Sequence, residues 1–218
     1  MSSTIIFYYF DALSIKQQEQ FKQIGAIYKA WNKKLNLVSR NDIHHIYLKH
    51  VLHALSIAKV ISFKPATQVM DVGTGGGFPG IPLAIMFPKA QFHLIDSVGK
   101  KIRAVQHIAE ELGLANVTAG QIRAENMTGQ YDFILGRAVT RLTAFYGWVK
   151  NNISPHDRHS ISNGILYLKG NEPIQIPVQN HTYAIRYFFD DPFFETKQLI
   201  HLGRDAPYLA DETDLLKG

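Results

Sequence analysis

An acid followed by alternating glycines, Asp71-x-Gly73-x-Gly75-x-Gly77, closes the short apolar segment at residues 69–72. Ahead of it runs a strand-like stretch, and after it a helix start. Such a turn brings backbone amides close to a nucleotide-shaped ligand, because glycines leave no side chain in the way. Asp71, Gly73, Thr74 and Gly75 are therefore the first group of candidate contacts. Asp96 ends the next apolar stretch, 23 residues after Gly73. That is close to the roughly 20-residue offset of an acid that accepts both hydroxyls of a ribose. Further on, Gln121-Ile122-Arg123-Ala124-Glu125 sets polar side chains just after the next strand-like stretch, which begins at Val117. Arg137, in Leu135-Gly136-Arg137-Ala138, could hold a carboxylate or phosphate through its planar fork. Arg123 and Arg141 are secondary candidates for the same task.

The spacing discriminates among nucleotide sites. A dinucleotide fingerprint needs glycines at the first, third and sixth places. Counted from Gly73, the sixth place is Phe78, so a nicotinamide oxidoreductase is disfavoured. The acid-first, alternating-glycine pattern instead resembles the cofactor loop of class I S-adenosylmethionine-dependent methyltransferases. The bland alternative is a strand-to-helix turn that needs only positive φ.

The elements that must carry these residues follow from periodicity. Strands are expected at 68–72, 92–95, 117–119, 133–135 and 165–168, with helices starting at Ile81, Lys100 and Leu142 between them. Pro82 fits only a first helical turn, and Gly113 suits the end of the second helix. Residues 183–189 and 197–202 read as a closing hairpin-like pair, and 151–163 as a loop. Alternation of this kind builds a parallel sheet with helices on both faces, and the late pair gives it a mixed edge. The first 64 residues read as helical, with Asn41 or Asp42 placed to cap a second helix that runs to Ala58. The expected organisation is a basic helical extension at 1–64, a catalytic α/β domain at 65–202 and a flexible tail at 203–218.

Charge divides along the same boundary. Residues 1–64 hold nine Lys or Arg against three acids, while 65–218 hold fourteen against fifteen. The whole excess of +5 therefore lies ahead of the glycine loop, which suggests a polyanionic partner. A solvated helix face would carry such charges too. Without cysteine there can be no disulfide, no Cys-ligated zinc and no thiol nucleophile. No apolar run is long enough for a membrane span, and a cytoplasmic protein is the simplest expectation. His50 and His53, with His45, could face one another on a helix, but no carboxylate is interleaved, and no metal is expected.

Absent motifs narrow the reaction. Methylation at a pyrimidine carbon commonly uses a cysteine, and exocyclic amine methylation a Pro-Pro-aromatic motif after the fourth strand, where this chain has Gly136-Arg137-Ala138-Val139. Asp191-Pro192-Phe193-Phe194 lies far downstream and reads as a turn with core aromatics. A ring nitrogen with a free lone pair, such as guanine N7, needs no deprotonation; positioning is then the main task.

Several motifs in order carry a more specific resemblance. They are Trp31-Asn32-Lys33-Lys34-Leu35-Asn36-Leu37, His50 in Lys-His-Val-Leu, the glycine loop continued by Phe78-Pro79-Gly80-Ile81-Pro82-Leu83, Asp96, Lys100-Lys101, Arg123-Ala124-Glu125, Arg137-Ala138 and Leu168-Lys169-Gly170. Together they resemble the GidB or RsmG family of small-subunit rRNA guanine-N7 methyltransferases. The resemblance implies S-adenosylmethionine as cofactor and 16S rRNA of the small ribosomal subunit as partner. By position it implies cofactor contacts from Gly73, Phe78, Ala124, Glu125 and Arg137, with Asp96 near the ribose. Asn36, His50, Lys100, Lys101, Arg123 and Arg137 would lie around the RNA or the reacting base, with Arg137 and Arg123 the catalytic candidates. Lys33, Lys34 and Arg40 of the basic extension join them as RNA contacts. The chain departs from many relatives in having Gly76 in place of Pro, and His53-Ala54 in place of Asp-Ser. A small-molecule methyltransferase and a non-catalytic ribosome-binding module are the competing readings. The charge division argues against the first and the intact glycine loop against the second.

Overall fold

The computed structural model of the chain describes residues 2–170, 176 and 178–207. Seven strands form one sheet in the order β3-β2-β1-β4-β5-β7-β6. They are β1 (Gln68–Val72), β2 (Gln91–Asp96), β3 (Val117–Gln121), β4 (Phe133–Arg137), β5 (Gly164–Lys169), β6 (His181–Ala184) and β7 (Gln198–Gly203). The first five are mutually parallel where they pair, and β7 runs antiparallel to both β5 and β6. Central strands are buried on both faces, so they read as continuous apolar runs. Alternate residues face opposite cores: Val69, Phe92, Leu94 and Leu135 on one side, Met70, Val72, Ile95 and Ile134 on the other.

The larger core packs the first side against α5 (Gly80–Met86) and α6 (Gly99–Glu111). The smaller one packs α7 (Leu142–Val149) through Leu142, Phe145 and Val149. Gly113, at φ +63°, ends the α6 run as its sequence position predicts.

The N-terminal residues build onto the larger core. After α1 (Thr4–Tyr9), α2 (Ile15–Lys34) begins with a reciprocal capping box between Ser14 and Gln17. The Gln17 amide also donates to the carbonyls of Ile85 and Met86 (2.9 and 3.0 Å). Gln20, one turn on, donates to the Leu112 carbonyl (2.8 Å). Each thereby satisfies carbonyls that a helix end leaves without an intrahelical partner. Phe21, Ile24 and Tyr28 of α2 share one core with the strands.

Three local expectations need correction. The helix foreseen from residue 43 to 58 is broken into a 3₁₀ turn (Ile43–His45), a π-helical stretch (Tyr47–Leu52) and two short helices, α3 (His53–Leu55) and α4 (Ile57–Val60). Asp42 makes no capping bond there; its carboxylate accepts instead from Lys49 Nζ (2.7 Å) and Ser39 Oγ (2.8 Å). The strand foreseen at 183–189 stops at Ala184, because Ile185 and Phe189 both turn into the core through a 3₁₀ turn (Ile185–Tyr187). Of the segment foreseen as a tail, Gly203 completes β7, and residues 208–218 lie outside the described residues.

Candidate active site at the carboxyl edge of the sheet

Parallel pairing puts the ends of β1, β2, β3 and β4 at one edge: Val72 pairs with Ile95 and Gly136, and Asp96 with Gln121. The glycine loop leaves β1 there. Gly73, Gly75 and Gly77 have φ of +66°, +59° and +91°, conformations that a residue with a Cβ rarely adopts. The structural need for glycine is therefore real at these three positions. Gly73 has a second one: a Cβ there would lie 3.0 Å from Val139 Cγ1.

Asp71 lies beneath this loop, fully buried. Its Oδ2 accepts from Thr74 Oγ1 (2.6 Å) and from the Gly80 amide (2.9 Å), which ties the start of the loop to the start of α5. Its Oδ1 is buried without a hydrogen-bond partner among the described residues. Burial pushes the carboxyl up to about 6, while the two hydrogen bonds and the nearby Arg137 charge hold it down. Asp71 and Thr74 thus brace the loop from below.

Asp96 ties the loop from the neighbouring strand. Its Oδ2 accepts from the Gly75 amide (3.0 Å) and its Oδ1 from the Val98 amide (2.9 Å). Neither Asp96 nor Ser97 is the cap residue of α6; Val98 holds that place without a side-chain bond. Each carboxylate oxygen keeps a further lone pair for a ligand hydroxyl.

Between these ties opens a cavity of about 330 Å³ lined by Val72, Gly73, Asp96, Ser97, Ile122, Arg123, Ala124, Glu125, Ala138, Val139 and Trp148. A second concavity, bounded by Gln121 and Asn126, shares Ser97, Ile122 and Arg123 with it. Gly73, Asp96, Ala124, Glu125 and Arg123, all singled out from sequence, are brought together here. Asp71, Thr74, Gly75, Phe78 and Arg137 are not among its lining residues. Val139 and Trp148 belong to the lining and were missed. Val139 follows Arg137 closely enough to have been found, but nothing in the sequence brings Trp148 of α7 to this edge. A larger concavity, about 520 Å³, lies between Tyr9, Lys59, Phe63 and Lys89 at the opposite, amino end of the strands and holds no residue of the glycine loop.

Phe78 and Arg137 instead form a cluster at the loop in which Phe78 is buried and Arg137 half-buried. The Arg137 guanidinium lies over the Phe78 ring (5.2 Å), which also packs on Tyr28 (4.9 Å) and His50 (5.2 Å). Desolvation lowers the guanidinium to about 10, so it stays cationic at neutral pH, supported by Asp71.

The basic turn abuts this edge. Asn32 Oδ1 accepts from the amides of Leu37 (2.8 Å) and Val38 (3.0 Å) and so folds the chain after α2. A Cβ at Gly76 would lie 2.9 Å from the Leu37 carbonyl oxygen, and Tyr28 Oη donates to the Gly76 carbonyl (2.7 Å). Gly76 thus permits contact between loop and turn. Lys33, Lys34, Asn36 and Arg40 are exposed around that turn, as are Lys100 and Arg123 across the edge; Lys101 and His50 are half-buried. Among the described residues no helix is long and apolar enough to cross a membrane, and no group of three metal-ligating side chains forms. His53 is buried edge-on to Phe193 and Phe194. The Asp191-Pro192-Phe193-Phe194 segment is a capped 3₁₀ turn with Phe194 in the core.

A mostly parallel seven-stranded sheet with its closing antiparallel strand inserted, and an acid-and-glycine cavity at its carboxyl edge, define the class I methyltransferase fold. The chain resembles a solved S-adenosylmethionine-dependent methyltransferase from Aquifex aeolicus in fold (TM-score 0.52, 15% identity, covering 68% of this chain and 88% of that one). Within the class, the family model described as "GidB: rRNA small subunit methyltransferase G" matches residues 17–188, and the chain belongs to that family. It is 51% identical over 197 residues to the ribosomal RNA small subunit methyltransferase G of Flavobacterium psychrophilum (89% of this chain, 94% of the relative). It is 48% identical over 202 residues to that of Cytophaga hutchinsonii (91% and 98%).

Proposed function

We propose that this protein transfers a methyl group from S-adenosylmethionine to N7 of a guanine in 16S rRNA of the small ribosomal subunit. The observation that carries this reading is the cavity between Gly73, Asp96 and Glu125, walled by a loop that is itself packed on an exposed basic turn. Family membership supports the choice of rRNA.

The residues present fit the cofactor. Asp96, held by two amides, offers lone pairs to ribose hydroxyls; Ala124 and Glu125 border the place for adenine. When bound, the cofactor supplies a methyl on a positively charged sulfur. Everything else is positioning: the chain must hold a purine against that methyl and exclude water. N7 carries a free lone pair, so no side chain need remove a proton. Arg137, at the end of β4, is suited to anchor an anionic group of the cofactor or the RNA, and Arg123 a phosphate at the cavity rim. Lys33, Lys34, Asn36, Arg40, Lys100 and Lys101 would hold the RNA backbone, and an accessible or extruded nucleotide is required.

Labelled S-adenosylmethionine incubated with small subunits, naked 16S rRNA and free nucleosides tests this. Label recovered as 7-methylguanosine from RNA is expected. Label on nucleosides alone would favour a small-molecule enzyme, and cofactor binding without transfer would sink the assignment.

A further inference from the structure

One contact in the Phe78 cluster is chemically one-sided. Arg137 Nη2 lies 3.1 Å from His50 Nδ1. A guanidinium has only donors, so Nδ1 must be the acceptor and the imidazole must carry its proton on Nε2. His50 sits in the π-helical stretch Tyr47–Leu52, a widened geometry that recurs at functional sites. Its ring packs on the Phe78 ring (5.2 Å), over which the guanidinium also lies (5.2 Å), so one aromatic side chain contacts both partners.

The charged surroundings keep the imidazole neutral. Arg137 faces it from β4 and opposes protonation; Asp42 favours it, Lys49 on its own segment opposes it less than Asp42 favours it, and His53 follows one turn on. Burial is the largest influence, and together these push His50 down to about 3. Asp71 and Tyr28 act on Arg137 rather than on the imidazole. Nε2 is itself buried and finds no partner among the described residues.

We infer that His50 is a positioning residue for Arg137: its Nδ1 accepts from one guanidinium nitrogen and fixes it, so that the remaining N–H groups are presented in one orientation to an anionic group at the sheet edge. It neither titrates with substrate nor acts as a base. The inference rests on the reading above in which Arg137 serves methyl transfer. It assigns His50, expected from the family resemblance to lie near RNA, a different task.

Two measurements test it. In ¹⁵N-labelled wild-type protein, long-range proton–nitrogen spectra should show His50 (identified by its loss in His50→Gln) as the neutral Nε2–H tautomer from about pH 5.5 to 8.5, far above its buried value. Titration within that range, or a proton on Nδ1, overturns the inference. In methyl-transfer assays His50→Ala should lower kcat on the order of 10- to 100-fold, as misplacement of a positioned group does. His50→Gln, whose Oε1 can accept from the guanidinium, should recover most of it. Wild-type kcat in His50→Ala, or equal damage in both variants, overturns it. Full RNA methylation by Arg137→Ala overturns it as well while leaving the proposed function standing. A wild-type protein that methylates no RNA fails the function, and the spectra still decide the tautomer.

Discussion

Replacing Tyr167 by Phe removes one hydroxyl that works at its full hydrogen-bonding capacity. That hydroxyl accepts from the amides of Val139 (3.1 Å) and Thr140 (3.3 Å) and donates to the Thr140 carbonyl (2.8 Å). These bonds hold the turn after β4, in which Ala138 sits at φ +52°. Left-handed backbone costs a residue with a Cβ about 1–2 kcal/mol. A typical hydrogen bond contributes about 1 kcal/mol net, and three would give about 3 kcal/mol. Val139 and Thr140 are half-buried, so water replaces part of that, and about 2 kcal/mol is the expected loss. The loss matches the strain, so the turn should relax and carry Val139 away from Gly73 at the cavity wall. Cofactor affinity should then fall by about 5- to 30-fold, at tenfold per 1.4 kcal/mol. Ala138→Gly in the same background removes the strain and should recover about fivefold. Titration calorimetry with S-adenosylhomocysteine, with thermal melting as a control, reads both effects. Affinity within about twofold of wild type in Tyr167→Phe, or no recovery when Ala138→Gly is added, would refute the reasoning.

Asp71→Asn should change the pH dependence of stability. The folded carboxyl titrates near 6, above its unfolded value, so the folded state takes up the proton first as pH falls. This group's contribution therefore weakens stability as pH rises from about 4 to 6, by about 3 kcal/mol at roughly 1.36 kcal/mol per pKa unit. Urea unfolding at about pH 5 and pH 7.5 should find the Asn variant gaining on wild type at the higher pH; a constant difference would count against the buried charge. Gly80→Ala places a Cβ 2.8 Å from both Asp71 Oδ2 and Leu94 Cγ, and should cost about 1–3 kcal/mol in urea unfolding. An unchanged midpoint would mean that the loop is not braced through Asp71. Joint replacement of Lys33, Lys34 and Arg40 by Ala should reduce the slope of log affinity for RNA against log salt by up to about 2, at about 0.7 per phosphate contact on a single strand. A slope equal to wild type would remove these residues from the interface.

The strand-and-helix order, the turn at Asp71 and the acid Asp96 at the end of β2 were legible in the sequence because each depends on local spacing. Three glycines at positive φ, an apolar strand ending in an acid, and a Gly at a helix end all encode backbone geometry within a few residues. The family was legible for the same reason, through ordered short motifs. Less local features were not. The broken helix after residue 42 keeps helical periodicity, but Asp42 is drawn to Lys49, seven residues on, instead of capping.

The roles inside the site divide along the same line. Sequence alone determined which residues stand at the ends of β1, β2 and β4, since a parallel sheet always gathers those ends at one edge. Only the tertiary structure decided which of them face the cavity. Asp71 and Thr74 turn beneath the loop because Gly80 and the Asp71 carboxylate meet there, and a buried charge needs every donor within reach. Phe78 and Arg137 turn towards Tyr28, carried by α2 where it packs on α5 and α6, and towards His50 of the π-helical stretch. Trp148 and Tyr167 reach the same edge from elements remote in sequence. Contacts of that range leave no periodic trace, because they depend on how whole elements pack rather than on what lies three or four residues away.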